Sequence, residues 1–357
     1  MIDDASQKDN PFFMHIAYTA PHWPLHALEE DIAKYEGTYK MGWDNLRANR
    51  HEELQGKKIL DAKWDISPRN SSSQSWKTSK DKTWEDLRMS VYSAMIDRMD
   101  QGIGKILKKL KELNMEDNTV LMFLSDNGGC AEFLAEDSNR PSPSQYSSPT
   151  RDGRSIKVGN RKDLRPGPDD TFMSYDLSWA NASNSPFRLF KRWTHEGGIS
   201  TPFIVSWPNK IKRAQIAHSP THIIDIATTI YEITGANYPD EMYGQEIKPL
   251  EGESFYGAFE NEKWQRKSPI FWEHEGSRAV RDGEWKLVCE VGSNWEIYNM
   301  SQDRTELTNL LNEEQDRVHR MKTQYREWSD RCEVSEWPVH QSRWDPKMIS
   351  THAHSSG

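Results

Sequence analysis

The chain has 357 residues, 35% of them hydrophobic, 11% aromatic and 28% charged, with a formal net charge of −9. That aromatic content, with 15 tryptophans, excludes a disordered chain, and the length suits one large α/β domain or a domain with a smaller appendage. The acidic balance argues against a nucleic-acid or anionic-membrane surface, and no apolar run approaches the roughly 20 residues of a membrane span.

The opening MIDDASQKDN is polar and acidic and shows no secretory signal. PFFMHIAY follows, and residues 12–18 read as a strand buried on both faces. Residues 38–80 are polar and weakly periodic, so irregular structure is expected there. Residues 84–113 read as a long helix, because Leu87, Val91, Met95, Met99, Ile103, Ile106, Leu110 and Leu113 recur at steps of three and four. NMEDN turns the chain into a strand at 119–124. Residues 138–185 form a long stretch rich in Ser, Pro and Gly. Low complexity is confined to 139–148, whereas Phe172, Tyr175, Trp179 and Phe187 should pack. A strand at 202–207 and a helix at 221–233 complete an alternation that signals a parallel sheet covered by helices.

After about Ser268 the pattern changes. IFWEHEG, SRAVRDG, EWKLVCEV and NWEIYNM are short strands, Asp282-Gly283 is a hairpin turn, and a helix at 312–328 follows. The expected division is a main domain over 1–267, a small antiparallel α+β subdomain over 268–344, and a polar tail over 345–357. Three cysteines, Cys130, Cys289 and Cys332, make no disulfide framework, and their spacing fits no zinc motif. They leave the redox compartment open.

Four short stretches could carry chemistry. FLSDNGG ends a core strand in Asp126-Asn127 and two glycines: a common turn former, but also two oxygen donors of the kind Ca²⁺ or Mg²⁺ prefers. They sit at the carboxyl end of a strand, where open α/β sheets bind ligands. APHWPLH places His22 in a loop stiffened by prolines, either bonded to backbone or able to give a proton to a leaving oxygen. FKRWTHEGG combines Lys191, Arg192, Thr194, His195 and Glu196 with paired glycines, and reads as a solvated turn or as a cationic anion-binding loop. FWEHEG brings Glu273, His274 and Glu275, better suited to a structural hairpin than to lining a pocket.

APHWP, then YSAMIDRMDQGIGKIL leading to NTVLMFLSDNGG, then KRWTHEGGISTPFIVSWP, then HIIDIATTI, occur in an order that resembles the sulfatase family, from about Pro11 to about Leu310. The loop WANASNSPFRLFK is similar to that of bacterial arylsulfatases. The resemblance implies an α/β fold of the alkaline-phosphatase/sulfatase kind, incomplete at the amino end, in which 1–267 is part of the catalytic domain. It implies that Asp126 and Asn127 are ligands of one Ca²⁺. By the same resemblance His22 contacts the sulfate and protonates the leaving alcohol, and Lys191 contacts the sulfate oxygens. His195 and His274 are the further candidates for substrate contact.

The departures matter as much. Family members carry near the amino end a Cys or Ser, followed by a proline–serine–arginine signature, that matures to formylglycine. They also carry an early aspartate pair and a Lys/His pair. None of these motifs is found here: Cys130 is followed by AEFL, Cys289 by EVGS and Cys332 by EVSE. The chain is therefore expected to be the carboxyl-terminal two-thirds or so of a sulfatase, inactive alone. The complete protein is expected in the periplasm or secreted, acting on an aryl or carbohydrate sulfate ester. The alternatives are a phosphodiesterase or phosphonate hydrolase of the same superfamily, and a non-catalytic anion-binding remnant.

Overall fold

The longest element is a 31-residue helix at Lys82–Glu112, formed where apolar residues recur at helical steps. The computed structural model, which describes residues 1–8, 10–134, 148–260 and 263–337, places α1 (Ile2–Ser6), α2 (Glu29–Ile32) and α3 (Gly42–Gly56) ahead of this helix, α4. Then come β1 (Leu121–Leu124), β2 (Lys157–Val158), β3 (Thr171–Phe172), α5 (Asp176–Ser183), α6 (Glu196–Ile199), β4 (Phe203–Ser206) and α7 (Ile224–Thr234). The carboxyl-terminal part holds β5 (Glu241–Met242), β6 (Gln245–Glu246), β7 (Ile270–His274), β8 (Ser277–Asp282), β9 (Trp285–Cys289), β10 (Trp295–Asn299) and α8 (Gln315–Arg331). The low-complexity residues 139–147 and the tail 345–357 lie outside the described residues.

The core of the main body gathers Leu25, Ile32, Trp43, Met89, Val91, Met95, Tyr175, Trp179 and Phe190. Trp43 and Trp179 meet edge to face, ring centroids 5.3 Å apart. The mixed α/β class expected from the sequence stands, but the pairing sense differs. β1 and β4 pair antiparallel, Leu121 opposite Ser206 and Leu124 opposite Phe203. The cause lies just past β1: Ser125 N–H donates to Pro202 O at 3.3 Å and Gly128 N–H to Gly198 O at 2.9 Å. The chain leaving β1 thus runs head-on beside the chain entering β4. Parallel pairing among the described residues is limited to β2 with β3 and a bridge between His26 and Gly167.

Two local expectations need correction. Residues 12–18 form no strand; they run without a β partner, with Phe13 77% exposed. A strand exists only by sharing its backbone groups with a neighbour, and no described strand lies beside this one. Residues 42–56, expected to be irregular, form α3 despite a polar sequence. Burial of Trp43 and Arg47 holds it, Arg47 reaching Ser67 O at 2.5 Å, so packing overrides a weak periodic pattern.

The carboxyl-terminal sheet has the order β10-β9-β8-β7, antiparallel throughout. Side chains alternate, so Phe271, Val280, Leu287 and Ile297 meet α8 through Val318, Met321 and Tyr325. The opposite face, with Lys286, Glu296 and Tyr298, takes the loop before β4. There Lys286, fully buried, sits 2.9 Å from Glu196 and 2.7 Å from Glu306. Glu306 also accepts from the Glu196 N–H at 3.0 Å. Burial opposes the charge on Glu196, but the fields of Lys286 and Arg304 prevail and hold it below the usual carboxylate range.

Removing one partner of such a buried cluster strands the others. Lys286→Met should therefore destabilise the protein by about 3–5 kcal/mol, read as a lower denaturant midpoint. A loss under about 1 kcal/mol would mean that water reaches the carboxylates.

Candidate active site

His22 and Lys191, 169 residues apart in sequence, meet directly: Nζ of Lys191 lies 2.9 Å from Nε2 of His22. The other ring nitrogen, Nδ1, lies 2.8 Å from the carbonyl oxygen of Trp23. A carbonyl only accepts, so Nδ1 carries the hydrogen and Nε2 accepts from the ammonium. Trp23 fixes this loop from behind, its indole N–H donating to Glu132 Oε2 at 3.0 Å.

Backbone contact brings the Asp126-Asn127 turn to the same place. The Lys191 N–H donates to Gly129 O at 3.0 Å. A Cβ on Gly128 would collide with the carbonyl of Gly197, one on Gly197 with those of Arg188 and Leu189, and one on Gly198 with those of Trp193 and Phe190. These glycines are required because two backbones touch with no room for side chains. Asn184 adds a bridge that the sequence reading missed. Its Oδ1 accepts from Gly129 N–H at 2.8 Å and its Nδ2 donates to Leu189 O at 2.9 Å. Its signal was faint: an Asn after a short helical run and before Ser-Pro.

Asp126 is exposed at the turn, and its Oδ1 accepts from Asn127 Nδ2 at 3.1 Å. A carboxylate and an amide suit a hard cation in kind. They fall short in number, since Ca²⁺ takes six to eight oxygens, and no group of three or more His, Cys, Asp or Glu capable of holding a metal occurs among the described residues.

The two further histidines are placed differently. His195 is 1% exposed and lies beneath the loop, with Nε2 3.3 Å from both Glu296 Oε2 and Arg188 Nη2. It anchors the loop to β10 and is not grouped with His22. Burial works against the Glu296 carboxylate, yet hydrogen bonds from His195 and Tyr298 and the charge of Arg188 hold it down at about 2. His274 ends β7 and is exposed; its neighbour Glu275 pairs with Arg192, next to Lys191. Trp193 donates to Glu290 Oε1 at 2.9 Å and Thr194 Oγ1 to Arg278 O at 3.2 Å, so the loop is tied down along its length.

Neither buried cysteine fits a nucleophile's place. Cys130, beside Gly129, is buried, and burial with the nearby Glu132 charge pushes its thiol up to about 11. Cys289 lies buried in β9, where burial also raises it.

Comparison with known proteins identifies the family of the chain. The sulfatase family model matches residues 1–236, and a model for the carboxyl-terminal region of N-sulphoglucosamine sulphohydrolase matches 187–330. An uncharacterized sulfatase of Schizosaccharomyces pombe is 33% identical, over 85% of this chain and 55% of its own length. An arylsulfatase of Klebsiella aerogenes is 30% identical, over 70% of this chain and 52% of its own. The chain thus spans about half the length of these curated relatives. The solved structure of Ps i-CgsB superposes with a TM-score of 0.58 at 21% identity, over 92% of this chain and 52% of that one. It has also been solved with k-i-k-neocarrahexaose bound.

Two outcomes check the geometry. Gly128→Ala should be among the most damaging single-methyl changes, lowering stability by roughly 2–4 kcal/mol. Gly104→Ala, on α4 with open space around it, should be neutral or stabilising by up to about 1 kcal/mol; equal melting shifts for the two would contradict the backbone contact. Because Glu296 lies at about 2 against an ordinary 4.5, its contribution is complete above about pH 4.5 and lost as pH falls toward 2. Glu296→Gln should flatten that acid limb of the stability curve.

Proposed function

The chain belongs to the sulfatase family, and on that footing we propose that His22 and Lys191 are the sulfate-handling pair of a sulfuric ester hydrolase, which cleaves a sulfate ester to an alcohol and sulfate. The observation that carries this reading is the 2.9 Å contact between Nζ and Nε2. Two nitrogens so close, on separate loops, can converge on one anionic oxygen. Such an oxygen offers Lys191 an acceptor other than Nε2, freeing that nitrogen to hold a proton facing the ester. Lys191 then balances charge on the sulfate throughout the reaction, while His22 gives its proton to the leaving oxygen as the S–O bond breaks.

Asp126 and Asn127 would hold one Ca²⁺ in part, the rest of its shell coming from elsewhere. When bound, the cation supplies positive charge beside the sulfate oxygens. The three cysteines do not fit the family's formylglycine, so no step is assigned to it, and the 357-residue chain alone is proposed not to turn over. An arylsulfatase relative and an oligosaccharide-binding structure of like fold support aryl and carbohydrate sulfates as the substrate classes. The exported location usual in the family is proposed for the complete protein.

The test joins this chain to an amino-terminal segment carrying the formylglycine signature and assays sulfate against phosphate esters. Sulfatase activity should dominate. Lys191→Ala should raise KM as well as lower kcat, since the charge it meets is present in the ground state. His22→Ala should slow esters of poor leaving groups by about 10²–10⁴-fold more than those of activated phenols. Equal slowing of both would reduce His22 to a positioning residue. Calorimetry on the chain alone should give a Ca²⁺ affinity weaker than about 10⁻⁵ M, lost in Asp126→Ala.

A further inference from the structure

The FWEHEG stretch takes no part in the chemistry proposed above, yet it reaches the lysine loop. β7 and β8 close over a two-residue turn, Glu275-Gly276, between the paired residues His274 and Ser277. Both turn residues have positive φ, 50° and 81°. Such a turn favours Asn, Asp or Gly at its first position, and Glu is a poor fit there. Arg192, which pairs with Glu275, departs from local preference in the same way, with a φ of 92°. Backbone of this kind is costly for a residue with a Cβ and persists only where the surroundings impose it. Propensity explains neither residue, and the two meet.

Their contact differs from a surface salt bridge, whose worth is small. The two side chains are only 19% and 23% exposed. Glu275 Oε2, which faces the guanidinium, is buried and accepts no hydrogen bond from the described residues. Arg192 thus supplies the charge that offsets this carboxylate, and removing either leaves the other uncompensated. Lys191 itself lies between two left-handed residues, Leu189 with a φ of 66° and Arg192. Asn184 holds the first, its Nδ2 donating to Leu189 O at 2.9 Å. Glu275 holds the second. Phe190, between them, is locked in the core.

We infer that Glu275 is a positioning residue for Lys191: by pairing with Arg192 it holds the backbone turn that aims Nζ at Nε2 of His22. The small carboxyl-terminal sheet thereby sets the affinity of the site for its anion. Glu275 acts through Arg192 and not on the anion, and the sign of its effect separates the two. A carboxylate near an anion site weakens binding through its field, so its removal would tighten binding. Removal of a positioning carboxylate weakens it. The aim of Lys191 is a matter of geometry alone, whereas the effect on affinity rests on the sulfate-handling role proposed for that lysine.

The experiment uses the full chain with Glu275→Asn, which suits the turn better than Glu, and Arg192→Gly, which adopts a φ of 92° without strain. Both delete the pair while favouring the local backbone. Nuclear Overhauser contact between the Lys191 side chain and the His22 ring reads position, and titration with inorganic sulfate reads affinity. Each variant should weaken the contact and raise the sulfate Kd at least about fivefold. In a Lys191→Ala background Glu275→Asn should change that Kd by less than about twofold, because its effect travels through the lysine. If Arg192→Gly does not fold, Glu275→Asn carries the same test alone. An unchanged contact or an unchanged Kd would overturn the inference, as would tighter sulfate binding or an equal loss without Lys191. If the unaltered chain binds no sulfate, the sulfate-handling role fails and the contact alone decides the positioning.

Discussion

The Asp126 turn and the Lys191 loop of the candidate site are joined by one contact between two backbones, Gly128-Gly129 against Gly197-Gly198. Gly128 N–H reaches Gly198 O at 2.9 Å, and three residues of glycine and carbonyl occupy space where any side chain would collide. This contact orders the turn bearing Asp126 and Asn127 against the loop bearing Lys191. It also sets the antiparallel sense of β1 and β4, since the ladder is entered through it. The site is therefore held by main chain, and its side chains are free to be chemical.

The loop is held from its other side by charge. Arg188, His195 and Glu196 all turn toward the small sheet, where Glu296, Lys286 and Glu306 receive them. Buried ion pairs contribute little net stability compared with apolar packing of the same volume. What they give is geometry, because a displaced partner leaves a charge unpaired in a low dielectric. The carboxyl-terminal sheet thus acts on the site by fixing a loop, with His274 exposed at its edge and Glu275 paired to Arg192.

The legible parts of the sequence were those with local causes. Helical periodicity found α4, and Asp282-Gly283 marked the β8–β9 hairpin because Gly283 takes a positive φ of 57°. Paired glycines in HEGG signalled close backbone approach, whereas those of DNGG, which they meet, read only as a turn. The missed parts have distant causes. Residues 12–18 have a buried strand's composition, but strand formation needs a neighbour that composition cannot supply. α3 and α5 arise from tryptophan packing around Trp43 and Trp179, which periodicity does not register. His195 and Lys191 stand four residues apart in one motif, and only the fold decides that one faces Glu296 while the other faces His22.

These observations describe a site assembled from three sources with unequal stability. The Lys191 loop and the Asp126 turn are locked by glycine contacts and buried charge. The His22 loop is tied through Trp23 to Glu132 and Cys130. The segment feeding His22, residues 11–19, has no strand partner among the described residues. The orientation of His22 relative to Lys191 is held by the Trp23 anchor, by the Nδ1 bond to the Trp23 carbonyl and by the contact between Nζ and Nε2 itself, so an imidazole fixed at both nitrogens can face one neighbour only.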